Sequence, residues 1–239
     1  MARIVFFTGM LVAVIGCVSM GKADRVYPTA HFKIHYTPLD DRNIKEIADS
    51  LEAGYPKITA DLQPGNVPVV DVYFYENIAA LTKVFPDFPE WAVGQAINAS
   101  EIHMISPNDP RQDYHTMIRN TKHEFVHCVS LNINSTIGNN PRWLWEAVAI
   151  YEANFPWDPR MLPYLVDQAP PSLKELNEFS SPRIYEVGYF IAQFIAETHG
   201  TIALRSLIRN NGNLKDTLKL TDDEFTRQWF AFVKKKHGI

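Results

Sequence analysis

Two histidines four residues apart, His123 and His127, bracket Glu124 in the run His-Glu-Phe-Val-His. On a helix such a pair lies on one face, one turn apart, so both imidazoles reach a single metal ion. Glu124 falls about 100° round from His123, where a carboxylate touches a metal-bound water without being a ligand. The plainer alternative is an exposed helix face with two unrelated histidines. Downstream, Pro-Arg-Trp-Leu-Trp-Glu-Ala-Val-Ala-Ile-Tyr spans Pro141 to Tyr151, apolar all round except for the carboxylate of Glu146 in its middle. A helix of that kind is buried, and an ionised carboxylate inside it costs several kcal/mol unless it is paired or binds a metal. Arg142, one turn earlier, is one partner for Glu146. The two histidines are the other: with Glu146 they make a His-His-Glu set, the usual catalytic zinc arrangement that leaves one position open for water.

These residues resemble a known family. Two histidines bracketing a Glu, an eighteen-residue gap, and a third ligand inside Trp-Leu-Trp-Glu-Ala-Val-Ala-Ile-Tyr are similar to the gluzincin metallopeptidases, specifically the aminopeptidase-N-type and peptidase-MA-like group. The resemblance implies a zincin-like fold and one zinc per chain, held by His123, His127 and Glu146. It also implies Glu124 as general base and peptide-bond hydrolysis as the reaction. Ala147 stands where the family usually has Gly, a change that a helix interior accepts easily. Tyr185-Glu186-Val187-Gly188-Tyr189-Phe190-Ile191 resembles the segment in which the family has a Tyr, then a Gly three residues on, opening a long apolar helix. That makes Tyr185 the candidate hydrogen-bond donor to the developing oxyanion; the alternative is a tyrosine that packs at a helix start, and Tyr189 and Tyr151 are weaker candidates. The stretch before the zinc helix, Val93-Gly94-Gln95-Ala96-Ile97-Asn98, carries no amine-anchoring motif of the aminopeptidases, which favours a minimal, endo-acting enzyme. In gluzincins this region is an edge strand, so a peptide or protein substrate is expected to add as a strand near Gly94 to Ile97.

The elements that must position these groups follow from periodicity. His31 to Tyr36 alternates apolar with polar, and Val67 to Tyr75 is rich in valine and aromatics between turn residues; both predict strands. Val93 to Ile97 and Glu101 to Ile105 predict a hairpin or two short strands. Ile44, Ile47, Leu51, Tyr55 and Ile58 give an amphipathic helix within Leu39 to Leu62, and a short helix is expected from Ile78 to Phe85. After Pro110 the chain turns helical over Arg111 to Asn132, Trp143 to Asn154 and Ile184 to Thr198, with a Pro-rich run of turns over Pro156 to Pro171. Strands first and helices afterwards predict an α+β fold, a small N-terminal mixed sheet packed on a helical half carrying the zinc-site helices.

Composition narrows the classes. At 239 residues with 46% apolar and 21% charged side chains, the chain is an ordinary globular protein, neither disordered nor fibrous. A net charge of −4 gives no electrostatic case for a nucleic-acid partner. The apolar run Ile4 to Met20, after Arg3 and before small residues Gly21 and Ala23, predicts a signal peptide over 1–23 and one mature domain over 24–239. Val14-Ile15-Gly16-Cys17 loosely resembles a lipobox, which would end the signal before Cys17 and tether the protein by a lipid; an uncleaved anchor is the third alternative. All three export the chain, to a periplasmic or extracellular location. With Cys17 removed or lipidated, Cys128 has no disulfide partner and is expected as a small buried side chain. His115 is expected on the surface, and Lys234 to Lys236 as a solvated helix end. Two rival functions fit the same residues: a catalytically inactive, secreted or membrane-tethered gluzincin-fold binding protein with a structural zinc, and a zinc hydrolase of an ester or cell-wall amide. A protein without catalysis has no need of Glu124.

Overall fold

The computed structural model describes residues 24–89 and 91–239; the expected signal segment, with Cys17, lies outside them. Alternation does what it predicts in β2 (Phe32–Tyr36), where Phe32 and Ile34 are buried and Lys33 is exposed. With β1 (Arg25–Pro28), β3 (Val70–Tyr75), β4 (Gly94–Asn98) and β5 (Glu101–Ile105) it forms one mixed sheet in the order β1-β2-β3-β5-β4. The three central strands are parallel, and β1 and β4 are antiparallel edges. Register aligns Ile34, Val72 and Ile102 in a row on the core face. That face packs on α1 (Ile44–Leu62) and α3 (Tyr114–Ile133), with the Phe32 and Phe125 rings edge to face at 4.9 Å. The opposite face carries a stack of His35, Tyr73 and His103, partly covered by α2 (Ile78–Val84) and Phe85.

The helical half follows. α3 begins at Tyr114, three residues later than the apolar pattern suggests, because the Asp113 carboxylate accepts the Thr116 N–H at 2.8 Å and caps the helix there. α4 (Arg142–Glu152) is buried along all but one of its residues, as its composition demands. The Pro-rich stretch is a run of turns holding a 3-10 turn at Pro159–Met161 and α5 (Pro163–Val166), followed by α6 (Leu173–Leu176). α7 (Arg183–His199) lies on α4, and Gly188 is what lets it come close: a Cβ there would meet Ile150 Cδ1 at 2.9 Å and the Ala147 Cα at 3.1 Å. Beyond the expected elements come α8 (Thr201–Arg209) and α9 (Leu214–Thr217). The helix expected to end at Lys234 to Lys236 is α10 (Asp222–His237), which starts with a Thr221/Glu224 capping box and buries Phe225, Trp229 and Val233. One cluster of buried apolar side chains runs from Phe32 to Val233. No described helix is long and apolar enough to cross a membrane.

Two consequences are measurable. Gly188→Ala overpacks the α4–α7 contact and should cost about 1–3 kcal/mol, lowering Tm by several degrees in calorimetry; an unchanged Tm would mean that the helices have slack to separate. At the far end of α4 the Glu152 side chain is fully buried, 2.6 Å from Lys57 Nζ, with Oε1 lacking a partner. Burial pushes its carboxyl up to about 7. A folded pKa above the unfolded one keeps a proton on the native state, so this contribution to stability is complete below pH ~4.5 and is lost as pH rises through ~7. The unfolding free energy from denaturant titrations should therefore fall more between these pH values in the wild type than in Glu152→Gln, by a difference on the order of 3 kcal/mol.

Candidate metal centre

α3 carries the core on one side and the site on the other. Phe125, Val126, Cys128 and Val129 are buried, and His123 and His127 turn towards α4, whose buried face presents Glu146. Glu146 Oε2 lies 3.2 Å from His123 Nε2 and 3.8 Å from His127 Nε2. Despite that proximity the oxygen is buried without a hydrogen-bond partner, so the ring N–H directions miss it. Ligand atoms 2.0–2.1 Å from a tetrahedral zinc sit about 3.3 Å from one another, and the two observed separations straddle that value. The group whose ligand atoms all lie within 4.8 Å of one another, and which could hold a metal ion, is His123, Glu124 and His127, with Glu146 beside it rather than in it.

The two imidazoles differ in their electrostatics. His127 is held well below its ordinary pKa by burial and then by neighbouring His123, so it is a neutral imidazole with a lone pair to give. Burial also opposes charge on His123, but the Glu146 carboxylate outweighs it and raises its pKa. Glu124 is pushed up to about 7, first by burial, with Glu146 adding to the effect and His123 and the Ala96 N–H opposing it. The His127 ring is fixed by stacking on Trp145, centroids 3.8 Å apart and planes at 4°, while its Nδ1 is buried with no partner.

A cleft of about 590 Å³ opens on this cluster, and His123, Glu124, His127, Glu146 and Tyr185 all line it. Strand β4 forms one wall. Ile105 N–H donates to the Val93 carbonyl at 2.9 Å, so in this antiparallel pair alternate residues face β5 and the amide and carbonyl groups of Gly94 and Ala96 face the free edge. The Ala96 N–H there faces Glu124 and favours its charged form, and the edge strand packs on α3. Opposite, Tyr185 stands at the start of α7 under Arg142, whose guanidinium lies 5.3 Å from its ring centroid. Burial, reinforced by Glu146, pushes the Tyr185 hydroxyl up to about 12, so it is a donor at neutral pH.

Arg142 corrects one sequence alternative. It makes no ion pair with Glu146; Nη1 instead donates to the carbonyls of Leu176, Glu178 and Ser181 at 3.2, 2.9 and 3.3 Å. Asn177 Oδ1 accepts the Trp143 N–H at 3.0 Å, satisfying a donor at the start of α4. Together these contacts clamp residues 176–181, which lead into Tyr185. Nothing in the sequence announces Asn177 or the carbonyl cluster, because both act across more than thirty residues of separation. Tyr151 and Tyr189 pack on each other at 5.4 Å and are not in the cleft lining. Glu152 pairs with Lys57. Cys128 is fully buried with its thiol pushed up by burial, and His115 is exposed.

No protein-family model matches the chain, and neither curated proteins nor solved structures contain a match to it. Metal content checks the cluster: the purified protein should carry about one zinc per chain by elemental mass spectrometry, and Glu146→Gln should lose it. Equal zinc in both proteins would remove Glu146 from the ligand set.

Proposed function

We propose that the chain is a zinc-dependent peptidase of gluzincin type with a zincin-like fold, and that it works outside the cytosol as its N-terminal sequence suggests. The observation that carries the reading is the Glu146 oxygen, buried without a hydrogen bond between two imidazole nitrogens at separations that suit ligands of one tetrahedral ion. His123, His127 and Glu146 would hold the zinc. A zinc held by them would supply Lewis acidity, lowering the pKa of a water towards ~7 and polarising a carbonyl oxygen.

The chain's own groups supply the remaining steps. Glu124, buried and with its pKa raised to about 7, takes the proton of the attacking water and delivers it to the leaving amine. Tyr185 donates a hydrogen bond to the oxyanion that develops on the scissile carbonyl. The Gly94 amide and carbonyl on the free edge of β4 register the substrate backbone as an added strand. This strand geometry favours a peptide over an ester or a cell-wall amide.

Glu124→Gln should keep zinc and the wild-type fold while lowering kcat about a thousandfold on an unstructured protein substrate. Tyr185→Phe should lower kcat about a hundredfold with little change in KM. Wild-type turnover by Glu124→Gln would refute the mechanism. Zinc retention without hydrolysis by the wild type would favour the binding-protein alternative.

A further inference from the structure

We infer that Trp145 is a positioning residue of the metal centre: its indole face sets the plane of the His127 ring, taking the part that a hydrogen bond to the far imidazole nitrogen plays in most histidine-ligated sites. The inference rests on the metal centre behind the proposed peptidase and adds to it a residue that ligates nothing itself.

A histidine that gives one nitrogen to a metal almost always donates the other N–H to a carboxylate, a carbonyl or a water, and that outer contact fixes the tautomer and the orientation of the ring. His127 departs from this pattern. Its Nε2 turns to Glu146 Oε2, 3.8 Å away, which leaves Nδ1 for the outer contact. Nδ1 is buried, and no described side chain or carbonyl accepts from it. A ring held by nothing else would move about its side-chain torsions, and stopping that motion on binding costs affinity.

The restraint here is aromatic. The Trp145 indole lies flat on the His127 ring, centroids 3.8 Å apart and planes at 4°, and the His123 ring meets the same imidazole nearly at right angles, centroids 4.5 Å apart at 84°. Atoms at the stacking distance are in van der Waals contact, so the imidazole cannot tilt without losing contact along one edge and clashing along the other. Trp145 is itself 7% exposed and directly precedes Glu146 on α4. One turn of α4 thus carries both the carboxylate and the surface on which the second imidazole rests, so the angle between the two groups is set by helix backbone. The plainer role for Trp145 is to fill space between α3 and α4. Space-filling needs bulk, whereas orienting a ring needs a flat face, and substitution separates the two.

The test compares the wild type with Trp145→Phe, which keeps a flat face, and Trp145→Leu, which keeps apolar bulk without one. Trp145→Met serves as a second ringless variant should Leu fail to fold, and circular dichroism of the metal-free proteins checks folding. The zinc dissociation constant is read by competition with a chromophoric chelator at fixed pH, and ligand geometry by the visible spectrum of the Co2+-loaded proteins. Trp145→Leu and Trp145→Met should bind zinc about tenfold to a hundredfold more weakly than the wild type, with altered Co2+ bands. Trp145→Phe should stay within about threefold of the wild type and keep its spectrum. Equal zinc affinity in all the proteins, or the same loss in Phe as in Leu, would overturn the inference and leave the metal centre and the peptidase reading in place. If affinity follows the ring but the wild type cleaves no peptide, the peptidase reading fails and the inference stands. A wild type that binds no zinc would end both.

Discussion

Placing one carboxylate inside an otherwise apolar helix constrains much of this protein. Glu146 is 6% exposed on a helix whose neighbours on both sides are buried hydrocarbon and indole. Leaving such a charge without compensation costs about 3–5 kcal/mol, a large share of the stability of any domain. Part of the compensation comes from α3, where His123, its pKa raised by Glu146, lies 3.2 Å from Oε2. The neutral His127 stands 3.8 Å away. The α3–α4 contact is thus stabilised by packing everywhere except at this one polar point.

Other parts of the helical half serve that contact. α7 reaches α4 closely because Gly188 has no side chain to hold it off Ala147 and Ile150, and one turn earlier on the same helix stands Tyr185. The loop before it is clamped by Arg142 and Asn177 to the first turn of α4. On the other side, the edge strand β4 packs directly on α3. The five residues singled out by type and spacing are thereby brought to one cleft by three helices and one strand, with the sheet core behind them.

What could be read in advance was local. The His-Glu-Phe-Val-His run and the apolar surroundings of Glu146 gave positions and burial because helical period and desolvation act over a few residues. The strands β2, β3, β4 and β5 were readable for the same reason. β1 was not: three of its four residues are exposed, and it exists because it pairs with β2 at the sheet edge. Strand order, which sets β5 between β3 and β4, depends on crossovers that no local pattern encodes. Arg142 shows the limit most clearly. One turn from Glu146, it reads as a local ion-pair partner, yet three carbonyls from a segment far along the chain satisfy it instead. The amphipathic spacing of Ala203, Leu204, Leu207 and Ile208 is the local signal for α8.

The free edge of β4 has a cost as well as a use. An uncovered row of amides and carbonyls is a template for pairing with another copy of the same chain, the usual route to edge-to-edge aggregation. Here the strand is five residues long and its register breaks between Ala96 and Asn98. The template is thereby limited to the few groups from Gly94 to Ala96, enough to register one short extended segment and too little for a long sheet between molecules.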